Sequence, residues 1–165
     1  MNPLPIVPLD PLERGQITVM RIDALMMIVP ALFGACALDW FAFDRLRDAI
    51  GFPPFGLLPG LILLYGLYSV TLGAPRRWRL WGHAFTGGEL HVASGWLIRS
   101  HTIVPVSRVQ HIDVTQGPIE RACGVATLVL HTAGTSDSEV ALPGITRDRA
   151  EGIRDAIRQS IGSAA

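Results

Sequence analysis

Lysine is absent from this chain: all 14 basic residues are arginines, and 14 acidic residues balance them. The missing lysine reads as a composition bias with little functional content. Zero net charge, by contrast, removes any general reason to expect nucleic acid or another strongly charged partner. Charge of either sign is scarce, at 17% of residues, where a soluble domain carries about 25%. The deficit lies almost wholly between Met1 and Pro75. Cysteine is scarce too. Cys36 and Cys123 are expected in different phases, membrane and cytoplasm, so they cannot form a disulfide framework, and a reducing compartment suits both. The chain also lacks a phosphate-cradling glycine loop, a Gly-x-Ser-x-Gly elbow and a paired metal-ligand motif. His91, His101, His111 and His131 are spread over strand-like stretches, and Asp113 and Glu120 are isolated carboxylates beside turns. The expectation is therefore no catalytic residue, no cofactor, no metal and no small-molecule substrate.

What is present first is length without charge. Gly51–Gly73 runs without a single charged residue. A helix needs about 20 mainly apolar residues to cross roughly 30 Å of hydrocarbon, so this run qualifies as a span. The uncharged run Ala24–Leu38 is shorter and contains Pro30. Extending it takes in Asp23 and Arg21 on one side or Asp39 on the other. A carboxylate at the bilayer centre costs about 2.5–3.5 kcal/mol, so Asp39 is expected at the outer boundary, beside the interfacial aromatics Trp40, Phe41 and Phe43. Two rival readings of this segment are a re-entrant hairpin and a lipoprotein leader ending at Phe33-Gly-Ala-Cys36. The leader reading lacks a leucine three residues before the cysteine and would be acidic. Two spans are favoured, at about 22–41 and 54–73.

Five arginines (Arg14, Arg21, Arg76, Arg77, Arg79) flank the outer ends of the two spans, against Arg45 and Arg47 in the loop between them. That bias predicts an inner-membrane protein with both termini cytoplasmic. Ala31 and Ala35 in the first span, and Gly56 and Gly60 in the second, have the spacing that lets helices approach closely. They are read either as packing the two spans together or as a partner interface. Pro59 is expected to kink the second span.

From His83 the pattern becomes period two. Glu89–Ser94 and Trp96–Val104 read as strands about a tight Ser94-Gly95 turn. Val109–Thr115 alternates, with Ile112 and Val114 on one face and His111, Asp113 and Thr115 on the other. Thr127–Thr132 is apolar enough for a central strand. Glu139–Leu142 is a short strand ended by Pro143-Gly144, after a turn at Gly134–Ser138. Ala150, Ile153, Ile157 and Ile161 then form a helical stripe, with Thr146 as N-cap, Asp148 in the first turn and Gly162 as the stop.

The stretch Val104-Pro-Val-Ser-Arg-Val-Gln-His-Ile-Asp-Val-Thr-Gln-Gly-Pro-Ile-Glu-Arg-Ala-Cys-Gly-Val-Ala-Thr-Leu-Val-Leu-His-Thr-Ala-Gly134 resembles the signature of the bacterial pleckstrin-homology-like membrane proteins, the YdbS-like group. The resemblance extends over roughly Leu25 to Ile161, with Pro75-Arg-Arg-Trp-Arg79 as the arginine-and-tryptophan junction. It implies an α+β chain: a two-helix transmembrane hairpin, then a PH-like, partly open β-barrel closed by a C-terminal amphipathic helix. It implies no known catalytic activity, and a membrane partner. The expected division is a cytoplasmic tail at 1–18, the hairpin at 19–75 and the PH-like domain at 76–165.

The candidate interaction surface is Arg99, Arg108, Gln110, His111 and Arg121, since arginine offers a planar fork for carboxylate or phosphate. The bland alternative is that Arg108 and Arg121 pair internally with Asp113 or Glu120. Arg76, Arg77, Trp78 and Arg79 are read as a juxtamembrane anchor. From Leu80 onward seven arginines face eight acids, short of the basic clusters that recruit proteins to anionic lipid. A membrane-anchored scaffold that binds other membrane proteins, homologues included, or associates with itself is the favoured function. An anionic-lipid sensor is the alternative.

Overall fold

The structure is a computed structural model that describes residues 8–41, 48, 54–95, 99–133 and 139–163. The chain forms two compact units, Met1–Val19 with Arg76–Ala165 and, separately, Met20–Pro75. Helix α1 (Gly15–Phe41) passes from the first unit into the second, and α2 (Leu57–Arg79) passes back. The loop arginines Arg45 and Arg47, the belt residue Phe43, the strand start at Trp96–Ile98 and the Gly134–Ser138 turn lie outside the described residues.

Both helices are long and apolar enough to cross a bilayer. Met27, Phe33, Phe41, Leu61, Leu64 and Leu67 all stand exposed. A core helix of a soluble protein would bury such side chains, whereas hydrocarbon solvates them. α1 runs through Pro30 without interruption.

The expected kink at Pro59 is corrected by where α2 begins. Gly56 is its N-cap, in a left-handed conformation, which puts Pro59 in the first turn. There its missing N–H would have had no intrahelical partner. The irregularity lies instead at Ser69–Gly73, a π turn in which the Ala74 N–H bonds Ser69 O. Pro75 explains it. In π register the Val70 carbonyl would accept from residue 75, which has no N–H. Arg21 Nε supplies the missing donor, at 3.1 Å. Arg21 thus has a structural role beyond its contribution to the charge bias.

Asp39 is 2% exposed, and its Oδ2 accepts the Gly56 N–H at 2.8 Å. The carboxylate satisfies the first donor of α2 and faces the positive end of its dipole, so at the end of α1 it serves as a buried cap. Trp40 and Phe55 meet edge to face at 6.4 Å. Of the small residues, Ala35 is buried, but Ala31 and Gly60 are exposed. A Cβ placed on Gly56 or Gly60 would meet nothing within 4 Å, whereas one on Gly66 would stand 2.8 Å from Ile28 Cγ2. Intramolecular packing by Gly56 and Gly60 is therefore corrected. The tight approach is at Gly66, which the four-residue pattern did not include.

The first unit holds two three-stranded antiparallel sheets, ordered β1-β2-β3 and β4-β5-β6. β1 is Gly82–Phe85, β2 Glu89–Ser94, β3 Ser100–Pro105, β4 Val109–Thr115, β5 Ala126–Thr132 and β6 Glu139–Ile145. A short α3 (Pro118–Ala122) joins β4 to β5, and α4 (Arg147–Ser163) closes the fold. Leu90, Val92 and Val104 from one sheet share a core with Ile112, Leu128, Leu130 and Leu142 from the other, and Ala150, Ile153 and Ile157 of α4 complete it. Each fully buried leucine contributes about 2 kcal/mol. The result is an α+β, partly open sandwich-like domain capped by a helix.

Several boundaries differ from the sequence reading. Ser94 pairs with Ser100, so five residues connect β2 and β3 where a two-residue turn was expected. β6 continues through Pro143-Gly144 to Ile145, absorbing one extra residue against β5. Pro143 has no ladder donor and Gly144 takes a φ of 73°, the ingredients of a bulge. Thr146 Oγ1 does accept the Arg149 N–H, at 3.3 Å. Ile161, however, is 41% exposed, and Gly162 lies inside α4.

Residues 8–19 are part of the fold, where a tail was expected. Asp10 and His83 exchange two backbone hydrogen bonds, of 2.8 and 2.9 Å, and Glu13 N–H donates to Gly144 O at 2.7 Å. Leu12 is a core residue. Trp78 Nε1 donates to the Leu12 and Glu13 carbonyls at 3.0 and 3.1 Å. Arg149 pairs with Asp10. No periodic pattern marks this short, proline-containing stretch.

Two outcomes follow for the full chain in detergent. A Cβ on Gly15 would collide with the Cys123 carbonyl oxygen, so Gly15→Ala should lower stability by about 2 kcal/mol, read as a fall in Tm. Arg21→Met should cost about 1–2 kcal/mol, and clearly less when Pro75→Ala restores a backbone donor. Equal losses in both backgrounds would contradict the role assigned to Arg21.

Candidate functional site

The five residues picked from the sequence are all exposed, but they do not form one cluster. Arg108 ends the 3-10 turn that follows β3, and its carbonyl accepts the Ala133 N–H at 3.1 Å. Arg121 lies on α3, beyond the other end of β4. The seven residues of β4 hold the two arginines about 20 Å apart. Gln110 and His111 lie between them on β4.

The acids that could have neutralised these arginines are otherwise engaged. Asp113 stands between two imidazoles, with His111 Nε2 at 2.9 Å and His131 Nε2 at 3.3 Å. Glu120 accepts the Gly117 N–H at 2.7 Å and the Thr127 hydroxyl at 2.6 Å, fixing the β4–α3–β5 connection. Internal pairing of Arg108 or Arg121 with Asp113 or Glu120 therefore does not occur. The His111 and His131 rings lie 5.8 Å apart on the outer face of the second sheet. Their grouping around one carboxylate follows from His111 facing His131 across β4 and β5, a register the sequence spacing does not disclose. Among the described residues no group of three or more His, Cys, Asp or Glu side chains is arranged to hold a metal ion.

Arg99 belongs elsewhere. It shares a cavity with Arg79, Ser94, Ser100 and His101. Within the juxtamembrane group, Arg76, Arg77 and Arg79 are exposed. Trp78 is turned inward against the core, so its indole ties down the N-terminal segment.

The family described as Bacterial PH domain matches residues 24–161. The chain belongs to that family. This bacterial PH domain protein is also similar to the transmembrane protein YdbS of Bacillus subtilis, with 31% identity over 102 residues, or 62% of each chain. The aligned part is thus less than two thirds of that relative's length. No solved structure matches the chain. The family match and the two apolar helices make this a membrane protein with a PH-like domain.

The bacterial PH domain here buries one histidine completely. His83 is 1% exposed, and by geometry neither ring nitrogen has a hydrogen-bond partner among the described residues. Burial pushes its pKa below the ordinary histidine range, and Arg149 adds to this, while Asp10 and Glu13 pull partly the other way. Folding thus favours the neutral ring. The unfolded chain takes up this proton near pH 6.5, so the stability tied to His83 is present above that pH and is lost as pH falls through it. Acidification from about pH 7.5 to about pH 5.5 should lower Tm. His83→Leu should flatten that dependence, and an unchanged slope in His83→Leu would exclude His83 as its source.

Proposed function

We propose that this protein is a non-enzymatic, membrane-anchored interaction module whose PH-like domain binds another membrane protein, a homologue or a second copy included. One observation carries the reading: Arg108 and Arg121 are exposed and have no acidic partner among the described residues, while Asp113 and Glu120 are used by other groups. Each guanidinium retains a planar set of donors for a partner's carboxylates or backbone carbonyls. Two such contacts about 20 Å apart suit an extended protein surface better than one small ligand. Anchoring raises the local concentration of membrane partners, so modest intrinsic affinity suffices.

The address is the inner membrane, with the domain and both termini cytoplasmic. Two facts support it. The arginine bias favours the outer ends of the hairpin by five to two. Residues before α1 and after α2 also belong to one compact unit, and a folded core cannot be divided by a bilayer.

Crosslinking in native membranes at native expression, followed by capture of this protein, tests the proposal. Discrete adducts that weaken in Arg108→Gln and Arg121→Gln are expected. Recovery of monomer alone, or adducts indifferent to both substitutions, would contradict it.

A further inference from the structure

The open cavity at the end of α2 is lined by Arg79, Ser94, Arg99, Ser100 and His101, with Leu80 and Ala93 as its apolar residues, and has a volume of about 360 Å³. That is room for roughly a dozen waters at ~30 Å³ each. Its polar lining is of one kind. Two arginines, two serines and a histidine line it, and no acidic residue is among its described lining residues. Neither Arg79 nor Arg99 has an ion-pair partner among the described residues. Glu89 of β2 is directed to His91, with its carboxylate 3.6 Å from His91 Nε2, and His91 in turn packs its ring 5.5 Å from that of His101. Like charges that share a cavity without a counter-charge repel each other. Folding brings these two arginines together from separate elements, because the closing pair of the β2–β3 hairpin, Ser94 and Ser100, sits beside the helix end.

We propose that this cavity is a binding site for a phosphate-bearing anion. Arginine is suited to it, since its fork meets two phosphate oxygens at once, and charge-assisted bonds of this type are about twice as strong as neutral ones. Ser94 and Ser100, which face each other across the hairpin end, also line the site. The phosphate has two chemical sources. Arg79 follows closely on Pro75, where the uncharged run ends, which puts a lipid headgroup within reach; a small soluble phosphate would use the same donors. The site is separate from the Arg108 and Arg121 surface and does not depend on the protein-partner reading.

Two probes distinguish the sources, both with the full chain. Detergent-solubilised protein is titrated calorimetrically with inorganic phosphate at low salt. Protein in nanodiscs of phosphatidylcholine, with or without phosphatidylglycerol, is examined by native mass spectrometry for retained phosphatidylglycerol. Wild type should bind at least one probe. Arg99→Gln should weaken that binding about tenfold, Arg99→Lys by less, and Arg158→Gln, on α4, by no more than about twofold. An unchanged Tm in Arg99→Gln shows that the loss is local. Loss confined to the inorganic-phosphate arm assigns a soluble anion, and loss confined to the nanodisc arm assigns a headgroup. If neither probe binds wild type, or if Arg79→Gln/Arg99→Gln binds as wild type does, the proposal is overturned.

Discussion

The paired backbone hydrogen bonds between Asp10 and His83 are the constraint on which the rest of this structure depends. They pair the outer edge of β1 at His83, whose N–H and C=O would otherwise be left unpaired there. They also set the path of residues 11–16, so that Leu12 enters the core and Gly15 passes against the Cys123 carbonyl. Trp78, near the end of the second apolar helix, donates to Leu12 and Glu13. The chain entering the apolar hairpin and the chain leaving it are therefore bonded to each other. One folded unit grips both ends of the membrane segment.

Within that segment the same accounting of backbone groups explains features that look unrelated. Hydrocarbon offers no hydrogen bonds, so every carbonyl or amide freed there needs a protein partner. Gly56 N–H finds Asp39, and Val70 O, deprived of a donor by Pro75, finds Arg21. A carboxylate and a guanidinium that look misplaced in apolar runs are there to satisfy helix ends and helix defects.

Much of the fold was legible because its signals are periodic. The alternation of Val109–Thr115, the apolar run at Thr127–Thr132 and the stripe of Ala150, Ile153, Ile157 and Ile161 each report burial, and of the stripe only Ile161 stays outside the core. Single residues misled where their effect depends on position within an element. Pro59 is harmless because the helix starts at Leu57, and Pro143-Gly144 bends a strand without ending it. The docking of residues 8–16 left no trace, since it rests on backbone bonds and one buried leucine. The candidate site was legible only in part. Exposure of Arg99, Arg108 and Arg121 could be anticipated, but not the pairing of Arg99 with Arg79 or the capture of Asp113 by two histidines, since both arise from strand register and tertiary packing.

Amide hydrogen exchange on the full chain in nanodiscs addresses the central constraint most directly. The Asp10 and Glu13 amides, which donate to His83 O and Gly144 O, should exchange as slowly as those of the central strand β5. If they exchange at the rate of exposed loop amides while β5 stays protected, the N-terminal segment is not part of the folded unit, and the grip on both ends of the membrane segment does not exist.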